Sequence, residues 1–258
     1  MTDTIAKPTD AGPGLERPGR RGITVRSRHI ARFLASAMAA WALLLAPAPF
    51  ASAQPCSDVD VVFARGTGEP PGVGGVGQAF VDALRSQVGP RTLTVSPVNY
   101  AASDNFTGGI QFVRTVVDGI SDAGNHIQST AASCPNTRIV LGGYSQGAVV
   151  AGFVTSDTVP AQVPAEYSSY VPAPLAPEVA NHVAAVVLFG KPSDQFMREN
   201  GVPPVVVGPL FAPKTLELCA AGDDICDGVP NGRPGFAHIS YPMNGMVTQG
   251  AAFAASHI

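Results

Sequence analysis

Arg138-Ile-Val-Leu-Gly-Gly-Tyr-Ser-Gln-Gly-Ala-Val-Val-Ala-Gly-Phe-Val154 is the stretch on which the fold turns. Its first residues form a short apolar β run without alternation, as expected of a strand covered on both faces. Its last residues are a longer apolar run of helical length. Between them, Gly143-Tyr-Ser-Gln-Gly147 fits the pattern G-x-S-x-G in the strand-turn-helix setting that gives the pattern meaning. The turn must be sharp, and glycines two positions either side of Ser145 let strand and helix approach closely. The helix that follows aims its N-terminus at the serine, where negative charge is favoured.

Outward from this turn, the chain alternates. Apolar runs bounded by Gly or Pro predict strands at Val59–Ala64, Thr92–Ser96, Arg138–Gly142, Ala184–Phe189 and Thr215–Cys219. Helical patterns fall between them at Gly77–Gln87, Gly108–Ala131 and Gln146–Thr155, and after them at Asn244–Ala255. The alternation predicts a three-layer α/β/α hydrolase-type sandwich with about five parallel strands, reactive groups at the strands' carboxyl ends, and no large cap domain. The proline-rich stretch 159–177 reads as a surface excursion.

A serine hydroxyl needs a base to become a nucleophile, and the order serine, acid, histidine directs attention downstream of Ser145. His126 lies upstream in a helical stretch and reads as a helix-surface residue. His182 precedes a strand, at the wrong edge of a parallel sheet, and His257 adjoins the terminus, where fraying is expected. His238 is left, in a loop between the last strand and last helix. For the acid, Asp194 follows the fourth strand, and Asp223, Asp224 and Asp227 follow the fifth. The second group is preferred because a Cys219–Cys226 bridge would hold it rigidly, and the pattern does not separate Asp223 from Asp224. Val229, Pro230 and Phe236, between acid and base, are candidates for the rim of an acyl-binding site.

All four cysteines lie after residue 53, and an even count in an exported chain favours disulfides. Cys219 and Cys226 are close, with Gly222 helping the chain turn, which leaves Cys56 for Cys134. Neither the spacing nor the neighbouring residues suit a metal, and no cofactor is called for.

Taken together, these motifs resemble the cutinase family of secreted serine esterases. The likeness rests on Gly142-Gly-Tyr-Ser-Gln-Gly147, a cysteine eleven residues before the serine, the loop Cys219-Ala-Ala-Gly-Asp-Asp-Ile-Cys226, Ala237-His-Ile-Ser-Tyr241, and Phe63-Ala-Arg-Gly-Thr-Gly-Glu69. It runs from Cys56 to about Tyr241. The resemblance implies a triad of Ser145, Asp223 and His238, the bridges Cys56–Cys134 and Cys219–Cys226, and an oxyanion hole from the backbone N–H of Gln146 with the N–H and hydroxyl of Thr67. It further points to Asn105 as support for that hydroxyl. The activity implied is hydrolysis of short- to medium-chain acyl esters through an acyl-enzyme, with an ester or lipid as the only partner, by a monomer released outside the cell or held at its envelope. Phospholipase or acyltransferase chemistry on the same scaffold is one alternative, and a non-catalytic exported surface or antigen-like binding protein is another. The 159–177 stretch and the segment 197–213 depart from the family pattern and are placed to cover part of the cleft.

Composition narrows the alternatives. Of 258 residues, 45% are hydrophobic and 14% charged, with 28 Gly and 24 Pro, which excludes a coiled coil or an acidic disordered chain. The net charge of −3 gives no sign of nucleic-acid binding. That total averages two unlike parts: residues 1–53 hold seven Lys/Arg and three Asp/Glu, whereas residues 54–258 hold nine and sixteen. Basic residues ending at Arg32, the apolar run Phe33–Ala46 and Ala51-Ser-Ala53 form the three parts of a secretory signal. The apolar run is shorter than the roughly 20 residues that span a bilayer, so no stable transmembrane anchor is expected. The basic region before the run is long, which raises a start near Val25 as an alternative to Met1. Residues 54–258 then form the α/β-hydrolase domain, and N-terminal sequencing of the exported protein should read Gln54-Pro-Cys; a mature chain that retains Phe33–Ala46 would overturn the assignment.

Overall fold

The computed structural model describes residues 55–161, 163 and 169–258; the signal and cleavage site expected in residues 1–53 lie outside them. Five parallel strands form one sheet: β1 (Val59–Ala64), β2 (Leu93–Pro97), β3 (Arg138–Tyr144), β4 (Val183–Phe189) and β5 (Thr215–Leu218), in the order β2-β1-β3-β4-β5. The chain leaves β1 for β2 on one side and returns to β3 on the other. The gap between the carboxyl ends of β1 and β3 is therefore the switch point at which open α/β sheets hold their ligands.

The consecutive apolar residues of β1, β3 and β4 are explained by two cores. Val61, Phe63, Val140, Val187 and Phe189 point to one face, where they meet α1 (Gly74–Gln87) and, near the end of the chain, the helix Met246–Ala255. Val62, Ile139, Leu141, Val186 and Leu188 point to the other, under α2 (Ile110–Ser133) and α3 (Gln146–Val154). Short elements complete the chain: α4 (Pro177–Ala180), α5 (Asp194–Glu199) capped by the Ser193 hydroxyl, α6 (Phe236–Ile239) and then α7, the helix Met246–Ala255. No inserted cap domain is present among the described residues.

The predicted strands match the observed ones to within two residues at either end. β3 runs two residues further than its apolar pattern, through Gly143 and Tyr144, which pair with β4. Two histidines differ from expectation. His257 is held by Phe253, its Nδ1 lying 2.8 Å from that carbonyl and its ring tilted against the phenyl group. His126 does not simply occupy a helix surface: its Nε2 lies 2.6 Å from Oδ2 of Asp60, a buried carboxylate on β1 whose other oxygen accepts the Ser96 hydroxyl at 2.7 Å. Helical periodicity could not reveal this pairing, because the partner is 66 residues away.

The hydrogen bond that His126 donates to Asp60 raises its pKa above 6.5, against the opposing effect of burial, with Asp60 and Asp122 adding their charges. A histidine with a raised folded-state pKa contributes stability that is complete below about 6.5 and lost as pH climbs through the folded value. The melting-temperature gap between wild type and His126→Gln should therefore be widest near pH 5.5 and shrink by pH 9. A gap independent of pH would exclude the charged pair as its source.

Candidate active site

Ser145 sits between β3 and α3 with φ 54° and ψ −119°, a backbone conformation that a non-glycine residue adopts only when its surroundings enforce it. Enforcement comes from two close approaches. A β-carbon at Gly143 would overlap the backbone of Gly147, and one at Gly147 would overlap the carbonyl groups of Ala64 and Arg65. The Ser145 N–H is fixed by the Phe189 carbonyl at 2.9 Å.

His238 Nε2 lies 2.9 Å from Ser145 Oγ, and His238 Nδ1 lies 2.9 Å from each oxygen of Asp223. Of the candidate acids, the structure brings Asp223 to the imidazole. It is fully buried in the turn closed by the Cys219–Cys226 bridge, and the second bridge joins Cys56 to Cys134. Burial is the largest single influence on Asp223 and pushes its pKa up. Hydrogen bonds from His238, from the Tyr241 hydroxyl at 2.6 Å and from the Ile225 N–H at 3.2 Å, with the His238 charge, outweigh it and hold the carboxyl below its usual range. Tyr241 is itself buried and accepts the Ala220 N–H. Tyr144 donates to the His238 carbonyl at 2.7 Å and packs its ring beside the imidazole. Only the tyrosine in Ala237-His-Ile-Ser-Tyr241 hinted at the first of these supports, and nothing in the sequence marked the second.

Thr67 stands between β1 and α1, partly exposed and bordering the same cavity as Ser145, Gln146 and His238. Its loop is pinned by Arg65, buried without a carboxylate partner among the described residues. The guanidinium instead donates to the carbonyls of Glu69 at 2.7 Å and Tyr100 at 2.6 Å, and Tyr100 returns its hydroxyl to the Arg65 carbonyl. Glu69 closes the loop by accepting from the N–H groups of Gly66 and Gly75. The Gln146 N–H belongs to the first turn of α3 and has no intrahelical acceptor. The Gln146 side chain is buried and donates to the Ser103 carbonyl, and its Oε1 has no partner among the described residues.

Asn105 is exposed, and its side-chain oxygen accepts the Thr107 hydroxyl at 3.0 Å. The expected rim residues lie elsewhere: Val229 and Phe236 are exposed, and neither they nor Pro230 border the cavity. Two residues along a helix is a turn of about 200°, so with His238 facing Ser145, Phe236 faces away. Pro234 and Ile239 border the cavity instead.

That cavity measures about 1260 Å³ and is walled by α2, α3 and both segments that depart from the family pattern, including Tyr170 to Leu175 and Met197 to Pro203. The described residues contain no cluster of His, Cys, Asp and Glu suited to a metal.

The family model described as Cutinase matches residues 55–258. The chain is similar to the probable carboxylesterase Culp7 of Mycobacterium tuberculosis, at 60% identity over 67% of this chain and 89% of that one. It is also similar to the carboxylesterase Culp1 of Mycobacterium bovis, at 48% over 84% and 90% respectively. Among solved structures, a Trichoderma reesei cutinase bound to a phosphonate inhibitor superposes with a TM-score of 0.56 at 32% identity, covering 88% of each chain. With its five-stranded parallel sheet and a family match spanning the whole described domain, the chain belongs to the cutinase family.

Proposed function

We propose that this cutinase-family carboxylic-ester hydrolase works by acyl transfer through Ser145, with His238 as base and Asp223 as the acid that orients it. The observation that carries the reading is the unbroken chain of contacts from Ser145 Oγ through both ring nitrogens of His238 to a buried carboxylate. His238 Nε2 takes the hydroxyl proton as Oγ attacks the ester carbonyl, and the same proton passes to the departing alcohol oxygen as the carbon–oxygen bond breaks. Water then attacks the acyl-serine, giving its proton to His238, and the acid leaves as Ser145 Oγ regains a proton. Asp223 stays ionised throughout and stabilises the imidazolium. The developing oxyanion is received by the N–H of Gln146 and by Thr67, whose hydroxyl adds a further donor. Loss of one such donor typically removes roughly 3 kcal/mol of transition-state stabilisation.

Export fits the two disulfides, which persist in oxidising surroundings. Among the described residues no helix is long and apolar enough to cross a membrane. We infer a chain released by cleavage after Ala53 and acting as a monomer on ester or lipid substrates.

With p-nitrophenyl butyrate, Ser145→Ala should reduce kcat by about 10⁴-fold or more, and Asp223→Asn by on the order of 10³-fold or more. Asp224→Asn should remain within about twofold of wild type; the opposite ranking of the two aspartates would replace the assigned acid. Tyr241→Phe keeps the ring and deletes one donor to Asp223. It should lower kcat by about tenfold with KM nearly unchanged and move the acid limb of the pH profile upward, because the carboxylate loses a partner that favours its ionised form. A lowered melting temperature with an unshifted limb would make the tyrosine merely structural.

A further inference from the structure

The two donors assigned to the oxyanion come from separate parts of the chain. Thr67 lies three residues past the end of β1, and Gln146 opens α3 two residues past the end of β3. The ladder between those strands stops at the pair Ala64 and Gly143, so beyond it no sheet hydrogen bond sets the spacing of the donors. A third segment reaches both. The chain leaving β2 comes past the carboxyl end of β1, where the Ala102 carbonyl accepts the Gly68 N–H at 2.7 Å and the next carbonyl, that of Ser103, accepts Nε2 of Gln146 at 3.0 Å. Gly68 directly follows Thr67. Neither Ala102 nor Ser103 borders the cavity, so whatever they do for the reaction they do through the residues they hold.

Both contacts are kept at a cost. Ala102 holds φ 48° although it carries a side chain, and it is buried. A non-glycine residue stays in that region only where its surroundings over-determine it. They do so here, because the neighbouring Tyr100 is buried, takes the Arg65 guanidinium on its carbonyl at 2.6 Å and gives its hydroxyl to the Arg65 carbonyl. Gln146 is buried as well, and its Oε1 finds no donor among the described residues. Turning the amide over would not help, since Oε1 would then face the Ser103 carbonyl, acceptor against acceptor. An apolar side chain of the same length would leave no buried acceptor unpaired, and the amide does. What the amide supplies that an apolar chain cannot is the bond to Ser103.

We infer that the turn Ala102-Ser103 braces the oxyanion hole: Ala102 holds Gly68, the Gln146 side chain holds Ser103, and the two bonds together set the spacing between Thr67 and the Gln146 N–H. The N–H of Gln146 then serves the reaction directly, while its side chain and Ala102 are positioning groups. The inference rests on Thr67 and the Gln146 N–H being the oxyanion donors. Their contacts to the oxygen strengthen only in the transition state, so a brace that slips lowers kcat and leaves KM in place. His238 and Asp223 are held from other elements, α6 and the turn after β5, so the acid limb of the pH profile stays where it is.

The test measures kcat and KM for p-nitrophenyl butyrate from about pH 5 to 9, with melting temperatures, and the Ki of a trifluoromethyl ketone whose adduct with Ser145 carries an oxyanion. Gln146→Met keeps the length and the backbone N–H and removes the donor to Ser103. Its kcat should fall by about tenfold with KM within about twofold and the acid limb unmoved, and Ki should rise in proportion to the loss in kcat/KM. Ala102→Val, whose β-branched side chain resists positive φ, should behave alike, and Ala101→Val at the exposed neighbour should stay within about twofold of wild type. The double variant Gln146→Met with Ala102→Val should lose less than the product of the single losses, because both act on one brace. If Ala102→Val does not fold, Gln146→Met and its Ki carry the test. A wild-type kcat in Gln146→Met, a loss that falls on KM, a shifted acid limb, or single losses that simply multiply would each overturn the brace. A wild-type kcat in Thr67→Val would instead withdraw the oxyanion hole on which the inference rests.

Discussion

The structure depends on how closely a strand and a helix can approach one another at Ser145. Two missing β-carbons, at Gly143 and Gly147, allow α3 to fold back against the ends of β1 and β3, and that closeness forces the serine into a conformation it would not choose. The cost is met locally by the bond to the Phe189 carbonyl and by the dense apolar packing of β3 and β4 beneath. Once the turn is set, Ser145 and Gln146 border the same cavity, and the remaining groups need only be delivered to it.

Delivery uses two kinds of rigidity. On the acid side, the Cys219–Cys226 bridge, the Ile225 N–H and the Tyr241 hydroxyl hold Asp223 in a closed turn, so the buried carboxylate is surrounded by donors. On the Thr67 side, the anchor is a buried cation. The Arg65 guanidinium is satisfied by backbone carbonyls on two loops and so ties the end of β1 to the chain after β2. A lysine, with a single ammonium and no planar fork, could not make the same set of contacts.

Most of this was legible in the sequence, and the physical reasons differ from part to part. Strands buried on both faces write themselves as unbroken apolar runs, and the serine turn announces itself through its glycines, so β1, β3, β4 and Ser145 stood out without any partner in view. Asp223 and Asp224 were inseparable by pattern because both follow the carboxyl end of β5; the resemblance singled out Asp223, and that is the carboxylate that meets His238 in the fold. Phe236 does not border the cavity because nearness along the chain says nothing about direction around a helix turn, and Val229 and Pro230 lie in the exposed loop before that helix. The wall of the cavity was invisible for the opposite reason: α2 is amphipathic, and a stripe facing a groove has the same periodicity as a stripe facing a core.

The contacts that make the site join distant parts of the chain. Ser145 meets His238 across 93 residues, Tyr144 reaches the His238 carbonyl across 94, and both lie on elements that must already be seated on the sheet. Such high-separation contacts are slow to form, because the loop between them must be closed before they reward the closure. A chain with its sheet formed but its last turns undocked has Ser145 in place and no base beside it. On the proposed mechanism, hydrolysis is therefore a report on the completeness of folding: in a refolding experiment it returns with the docking of α6, later than the secondary structure of the sheet that supports it.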